Sequence, residues 1–409
     1  GNRDIDMLGK AIRVASISMD PELCVINCAD PDSTPHIGFI FSGNYNDRPE
    51  LAGVTVTGAT TDEWNRGAIL LPRGGSVVDA SSTQGSTDAS EQGMAAIIGM
   101  APILRNVRVE NNRGDGFFVD SFRTGFTAYD CSFSNNTGNG GATAGTSVAG
   151  DFFDCRFNGN GGSGLVHGGV RWSGPVLAQI QRCQFNGNGM DGYASGACIT
   201  IRRIAFEGCE FIGNIGNGIF DAYGASVTSS VIADNGGWGM LHRIMPADPS
   251  FDTLNECEVL RNQDGGIWCD SRGAHGGGGV SASGCLVAEN GGAGIVGVMG
   301  RNPGSFRDCV VSGNLGPAIV LSSIIPDDYP QSVQSQFLIE GNTIVDNTGP
   351  GLHCRFTAGY TPGRDTLKLS LLNSIICRQD TAMTIDGFQP DTLLVACTDI
   401  FGNTAGDWV

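Results

Sequence analysis

The chain has 409 residues, of which 63 are glycine and 40% are hydrophobic, and it carries a net charge of -18 from 42 acidic against 24 basic side chains. Hydrophobic residues spread evenly along the length exclude a disordered linker, and the acidic balance excludes nucleic acid as a partner, because a negative surface repels a phosphate backbone. No apolar run reaches the length of a membrane span. The basic set is almost all arginine, with Lys10 and Lys368 the two lysines, so neutral glycans, or acidic ones met by Ca²⁺ or a local arginine, are the partners the charge admits.

The opening residues, GNRDIDMLGKAIRV, hold no apolar signal-peptide core, so an export signal is expected outside this sequence. Residues 1–106 read as less regular coils, with GKAIRVASI and LAGVTVTGA as their alternating stretches. At Val107 a strict register begins: Asn112 follows five residues later and Gly116 four after that. The spacing returns behind Cys131, Cys155, Cys183, Cys209, Ser230, Cys257, Cys285, Cys309 and Asn342, leading to Asn136, Asn160, Asn188, Asn214, Asn235, Asn262, Asn290, Asn314 and Asn347. Each asparagine is followed by a small residue, glycine in all but the Ala318 coil.

The cysteine-to-glycine half is constant, whereas the return to the next cysteine varies and holds the insertions IMPADPSFD, SRGAHGGGG and LSSIIPDDYPQSVQSQF. Coils of 21 to 33 residues with period-2 alternation are too short for helical repeats. They predict an all-β solenoid of about 12 parallel coils, a single domain over 1–409 with regular coils at 107–403. In each coil the cysteine and the aromatic or β-branched residue two places on are expected inward, and the residue between them outward. The asparagine is expected at the bend, in left-handed backbone, bonding to the same turn of neighbouring coils. The glycines are expected to let the chain turn. The closing stretch TDIFGNTAGDWV follows the same pattern, so both ends look cut from a longer protein or stacked on a neighbour, and self-association through uncapped ends is expected.

These C-x-F-x-x-N-x-x-x-G units resemble those of right-handed parallel β-helix proteins, the pectin-lyase-like fold, of the exported bacterial type. The resemblance implies asparagine and cysteine ladders and an extracellular or cell-surface location. It leaves the activity open, because the fold serves lyases, hydrolases, epimerases and adhesins. The NTD, GHG and RIK segments of polygalacturonase-type hydrolases are absent, and Asp327 and Asp328 stand in a proline-bordered loop.

Of the 14 cysteines, eight are placed in one inward column, namely the seven above and Cys397, where small apolar thiols stack reduced without partners. Cys24 and Cys28 are too far apart along one strand to pair, and no CxxC spacing suggests zinc. No metal site is assigned.

Chemistry is expected on the strand after the glycine. Its outward positions form a stripe of Phe118, Val166, Ala194, Phe220, Leu241, Trp268, Val296, Val320 and His353, followed two residues on by Asp120, Arg243, Asp270 and Arg355. Rings beside charged hydrogen-bonding groups suit a sugar chain, whose C–H faces stack while its hydroxyls bond. Phe118, Asp120, Phe220, Trp268 and His353 are therefore the candidate ligand contacts. The positions between them point inward yet hold His167, Ser195, Asp221 and His242, a cluster suited to a base, a metal site or a buried polar ladder. Candidate catalytic residues are His167, Asp221, His242, Arg243, Asp270, Arg272 and Arg355. On the cysteine strand the outward residue becomes apolar late in the chain, at Leu286, Val310 and Ile375. Two functions follow: a structural, adhesive or glycan-binding surface protein, or a polysaccharide lyase or glycoside hydrolase working along the outward face.

Overall fold

The computed structural model describes residues 4–8, 10–29, 36, 38–41, 49–59, 97–99, 103–120, 126–144, 150–167, 177–195, 203–221, 224–243, 251–270, 279–299, 304–323, 334–356, 366–387 and 391–405. Among them every regular element is a β-strand. The chain forms two compact units, Gly1–Trp172 with Val176–Gly196, and Ser173–Pro175 with Ala197–Val409.

In both units the chain cycles through three sheets, and each strand pairs in parallel with the strand one coil away. In the first unit the first sheet includes Phe117–Asp120, Gly141–Ala144, Leu165–His167 and Tyr193–Ser195. The second includes Ile103–Arg105, Phe126–Tyr129 and Gly150–Phe153. The third includes Thr55–Thr57, Arg108–Glu110 and Ser132–Ser134, extended by bridges to Arg156 and Gln184. The stretches before Val107 already follow this order, with Ile5–Asp6, Arg13–Ala15 and Val25–Asn27 in the three sheets in turn. The second unit repeats it through the first-sheet strands Ile219–Asp221, Trp238–Arg243, Gly265–Asp270, Ile295–Met299, Ile319–Ser323, Leu352–Phe356 and Met383–Gly387. This is the right-handed parallel β-helix.

The period-2 alternation of each short strand sends one side chain inward per turn of each sheet. On the third sheet the column Phe133, Phe157 and Phe185 is fully buried, with ring centroids 5.2 and 4.9 Å apart and nearly parallel planes. In the second unit that column runs through Ile232, Val259, Val287, Val311, Ile344 and Ile376, all fully buried. Each such side chain contributes about 1.5–3 kcal/mol by leaving water. In-register parallel pairing is thereby strongly preferred over a slip, which would turn these residues outward.

The asparagines form the expected ladder. Asn262 Nδ2 donates to Asn290 Oδ1 at 3.0 Å and to the Ile232 carbonyl at 3.1 Å, while the Asn262 backbone N–H also donates to Asn290 Oδ1 at 3.0 Å. Both amide hydrogens and the carbonyl oxygen of a buried side chain are thus used, which is what makes its burial tolerable. Gln379 takes the asparagine place in its coil, its Oε1 accepting from the Asn347 backbone N–H at 3.1 Å.

Three details differ from the sequence expectation. The left-handed residue at the bend is the one before the ladder asparagine: Asn135, Asp234, Arg261, Glu289, Asp346 and Arg378 all have φ between 52° and 59°. The asparagine itself stays out of the left-handed region and spends its side chain between coils. A second left-handed residue precedes the cysteine, as at Asp130, Asp154, Arg182, Glu256 and Asp308, so two bends bracket each three-residue strand.

The cysteine column is also a hydrogen-bonding column. The Cys155 backbone N–H donates to Cys183 Sγ at 3.3 Å. Where cysteine is replaced, Ser230 Oγ accepts from Cys209 N–H at 3.0 Å and Asn342 Oδ1 from Cys309 N–H at 2.9 Å. The position therefore demands a small acceptor rather than only a small apolar group. Cys397 does not belong to the column: it is exposed, with φ 52°, and Thr398 occupies the place, with Asn403 five residues on. All 13 described cysteines are free thiols.

Third, the glycine nine places past the cysteine is required by close approach and not by a turn. A Cβ on Gly266 would collide with the Gly294 carbonyl of the next coil and stand 2.7 Å from the Val287 methyl.

Candidate functional site

In the second unit, register places the outward residues of the first sheet in two rows. Phe220, Leu241, Trp268, Val296, Val320, His353 and Thr384 form one, and Arg243, Asp270, Val298, Ser322, Arg355 and Asp386 the other. The middle of the apolar stripe is buried, with Val296 and Val320 at 8% and 9% exposed. Val296, Val298 and Val320 form a small satellite core, with the half-buried Trp238, Trp268 and Ala293 packed against it. Trp238 meets Trp268 edge to face at 5.0 Å between centroids, and its ring fills the space a Cβ on Gly265 would need. Apolar side chains on an outward face gain by this mutual cover what the core gains inside. Phe220 and Leu241 are half-buried. In the first unit, Phe118 pairs in register with Ala142, which pairs with Val166, and that with Ala194.

The rows open to solvent at their far end. His353 Nε2 lies 2.7 Å from Asp386 Oδ2 of the following coil, and Arg355 Nε–H points to the same nitrogen at 3.2 Å. The His353 side chain is 12% exposed and that of Asp386 65%, and Arg355 is exposed. One imidazole nitrogen cannot serve both neighbours in one protonation state: protonated it donates to Asp386, bare it accepts from Arg355. The arrangement is a proton-transfer group flanked by a fixed cation and a fixed anion. His353 and Arg355 were legible as outward residues. Asp386 was missed because its coil carries Ser374 and Gln379 where the pattern has cysteine and asparagine.

The inward column between these rows is polar where expected. In the first unit His167 and Ser195 are buried and paired in register, with the His167 ring 5.9 Å from Tyr193. In the second unit Asp221 pairs with His242, and His242 with Cys269. Asp252, at the start of the second-sheet strand Phe251–Asn255, joins them: His242 Nδ1 is 2.9 Å from Asp252 Oδ2 and 3.9 Å from Asp221 Oδ2. All four are at most 1% exposed. Burial, and then the carboxylates of Asp252, Asp270 and Asp221, push the Cys269 thiol well above its ordinary range. His242, Asp252 and Cys269 each present one ligating atom, all within 4.8 Å of one another. This donor set of nitrogen, oxygen and sulfur is unlike the all-oxygen shell of Ca²⁺.

Among the other sequence candidates, Asp270 is buried at 8%, Phe118, Asp120 and Arg243 are placed by backbone alone, and Arg272 lies outside the described residues. On the third sheet Val310 and Ile375 are each 39% exposed, while Leu286 is half-buried.

The first unit adds one unexpected group. Asp115 is 1% exposed, and its Oδ1 accepts from the Asn139 backbone N–H at 2.7 Å and from Asn139 Nδ2 at 3.0 Å. Among the described residues its Oδ2 has no hydrogen-bond partner. Burial raises this carboxyl from 3.8 to about 6, against the pull of the Asn139 bonds.

Residues 252–363 match the family model for a right handed beta helix region. No curated protein matches the chain. Among solved structures, a double mutant of the periplasmic alginate epimerase AlgG shares 12% identity, with 74% of this chain and 76% of that chain covered and a TM-score of 0.49. The A-module of the Azotobacter vinelandii mannuronan C-5 epimerase AlgE4 shares 13%, over 74% and 84%, with a TM-score of 0.41. Tailspike protein 3 of bacteriophage CBA120 shares 8%, over 91% and 54%, with a TM-score of 0.38. None of the three reaches a TM-score of 0.5, so the chemistry of the site rests on its own residues.

Proposed function

We propose that this is an exported or surface β-helix protein that binds a glycan on the outer face of its first sheet, at His353, Arg355 and Asp386. The observation that carries this reading is the open cluster of three adjoining side chains, a cation, an imidazole and a carboxylate, at the end of an otherwise covered face. Saccharide hydroxyls need donors and acceptors held in fixed positions. Arg355 also supplies a local positive group on a chain of net charge -18, through which a uronate carboxylate is received by charge-assisted bonds.

A second reading is supported by the shared His353 nitrogen. An imidazole between a guanidinium and a carboxylate is equipped to take a proton from carbon beside a uronate carboxylate while Arg355 neutralises the charge that develops. That is the first step of a lyase.

Titration calorimetry against neutral and acidic glycans, with and without Ca²⁺, tests the binding. Arg355→Ala is expected to weaken an acidic ligand about tenfold or more, the worth of a hydrogen bond to a charged group. No binding by any glycan, or equal binding by wild type, Arg355→Ala and His353→Ala, rejects the site. Growth of unsaturated uronic ends in the ultraviolet, lost in His353→Ala, selects the lyase reading.

A further inference from the structure

We propose that the interior of the second unit holds a zinc-class divalent ion, bound by His242 Nδ1, Asp252 Oδ2 and Cys269 Sγ, with Asp221 placed as the fourth ligand.

Three ligand chemistries converge where the fold otherwise places apolar groups. From Cys269 the inward column of this unit continues through Gly297, Leu321, Cys354 and Ile385, so Asp221 and His242 break its character, and Asp252 joins them from the second sheet. Such groups are seldom buried unless they are paired or bind metal. A histidine packed in a core needs one acceptor, and Asp252 alone would suffice. Here Asp221 approaches the same imidazole nitrogen from the preceding coil, and Cys269 stands in register beside His242 on the following one.

The spacing fits the ion. Ligands at about 2.0–2.3 Å in a tetrahedron stand roughly 3.3–3.8 Å from one another. The separations of 2.9 Å to Asp252 and 3.9 Å to Asp221 bracket that range, and the three primary donors lie within 4.8 Å. One nitrogen, one sulfur and carboxylate oxygens are a zinc donor set. The outer support is present: Asp252 Oδ1 is fixed by the Ala225 backbone N–H at 2.8 Å, which turns Oδ2 toward the imidazole.

The site is closed. Each of these side chains is at most 1% exposed, leaving no open coordination position for substrate, which is the mark of a structural ion. Its mechanical effect would be to tie Trp238–Arg243 and Gly265–Asp270 of the first sheet to Phe251–Asn255 of the second. The ion must enter as the chain folds, so its binding free energy is folding free energy. This inference is independent of the outer-face site, which lies on other coils.

The test is elemental analysis of the full chain, expressed with zinc and purified without chelator, beside Cys269→Ser and Asp252→Asn. Zinc at about one per chain in the wild type, near zero in each variant that keeps its far-ultraviolet spectrum, supports the site. Refolding the wild type with Co²⁺ in place of zinc gives a second readout that needs no variant: a thiolate-to-cobalt charge-transfer band, which Cys269→Ser lacks. Wild-type protein with well under a tenth of an equivalent of zinc and a featureless cobalt spectrum overturns the proposal, as does a zinc content that both variants retain.

Discussion

Replacing Asn290 by alanine tests the ladder at a point where every bond is defined. Asn290 Nδ2 donates to the Val259 carbonyl at 3.1 Å and to Asn314 Oδ1 at 2.9 Å, and its Oδ1 accepts from Asn262 N–H and Asn262 Nδ2, both at 3.0 Å. Four bonds vanish, but they do not weigh equally. Asn314 Oδ1 keeps the Asn290 backbone N–H as a donor at 3.0 Å. The two Asn262 hydrogens are left in a dry interior with no acceptor, at about 1–3 kcal/mol each. The expected loss is therefore about 4 kcal/mol, with the Val259 carbonyl adding to it. Urea unfolding should be followed by tryptophan fluorescence, because the Trp238 and Trp268 pair stands on coils adjoining the break, and by hydrogen exchange at the Asn262 amide, since coils of a solenoid can open locally. Gln263→Ala, an exposed neighbour, is the control. A loss below about 1 kcal/mol for Asn290→Ala, with the Asn262 amide still protected, would refute the claim that the ladder is a stabilising network.

Further outcomes follow from the same geometry. Cys285→Ser is expected to cost less than about 1 kcal/mol, because Ser230 and Ser374 fill the equivalent place and a hydroxyl serves the same bonds. Gly266→Ala is expected to cost about 1–3 kcal/mol, the range for overpacking, since its Cβ meets the Gly294 carbonyl; thermal unfolding checks both. Asp115 has its folded pKa raised from 3.8 to about 6, so its contribution to stability is fully present below pH 3.8 and is lost as pH rises through about 6. The shift of 2.2 units (6 less 3.8) corresponds to about 3 kcal/mol. Asp115→Asn should abolish that fall, and urea midpoints for both proteins between pH 3.5 and 7.5 that run parallel would contradict it. Alkylation of native protein is expected to label Cys397 first among the described cysteines, as it is the exposed one, with the buried column reacting after unfolding.

The spacing from cysteine to asparagine to glycine made the stacking of coils legible, because hydrogen bonding between equal ranks forces a fixed number of residues between the two bends. Cys397 shows the limit of matching by residue type. Thr398 fills that place because the column selects a small polar side chain: cysteine, serine and asparagine accept there from the backbone of the neighbouring coil, and Thr398 Oγ1 donates to the Leu371 carbonyl. Counting back five from Asn403 would have corrected it. The sequence left open whether the stripe is covered, since whether Val296 faces water depends on what packs over it in three dimensions. Asp252 was hidden for a related reason: it enters from the second sheet after an insertion, where no constant spacing ties its rank to that of His242.

The informative positions are those at which a column changes character between consecutive coils. Parallel stacking places equal ranks about 4.8 Å apart, so each inward residue is chosen largely against its two neighbours, and an apolar column is self-consistent. Asp221, His242 and Cys269 are consistent with one another only because Asp252 arrives from a different sheet. His353, Arg355 and Asp386 likewise make sense as a group, though not as members of the valine rows they end. Isolated polar substitutions in a solenoid column cost stability without return. Two such runs in one unit, one closed inside and one open outside, therefore mark where column character alone does not explain the residues: the closed run is the place of the proposed ion, and the open one that of the proposed ligand.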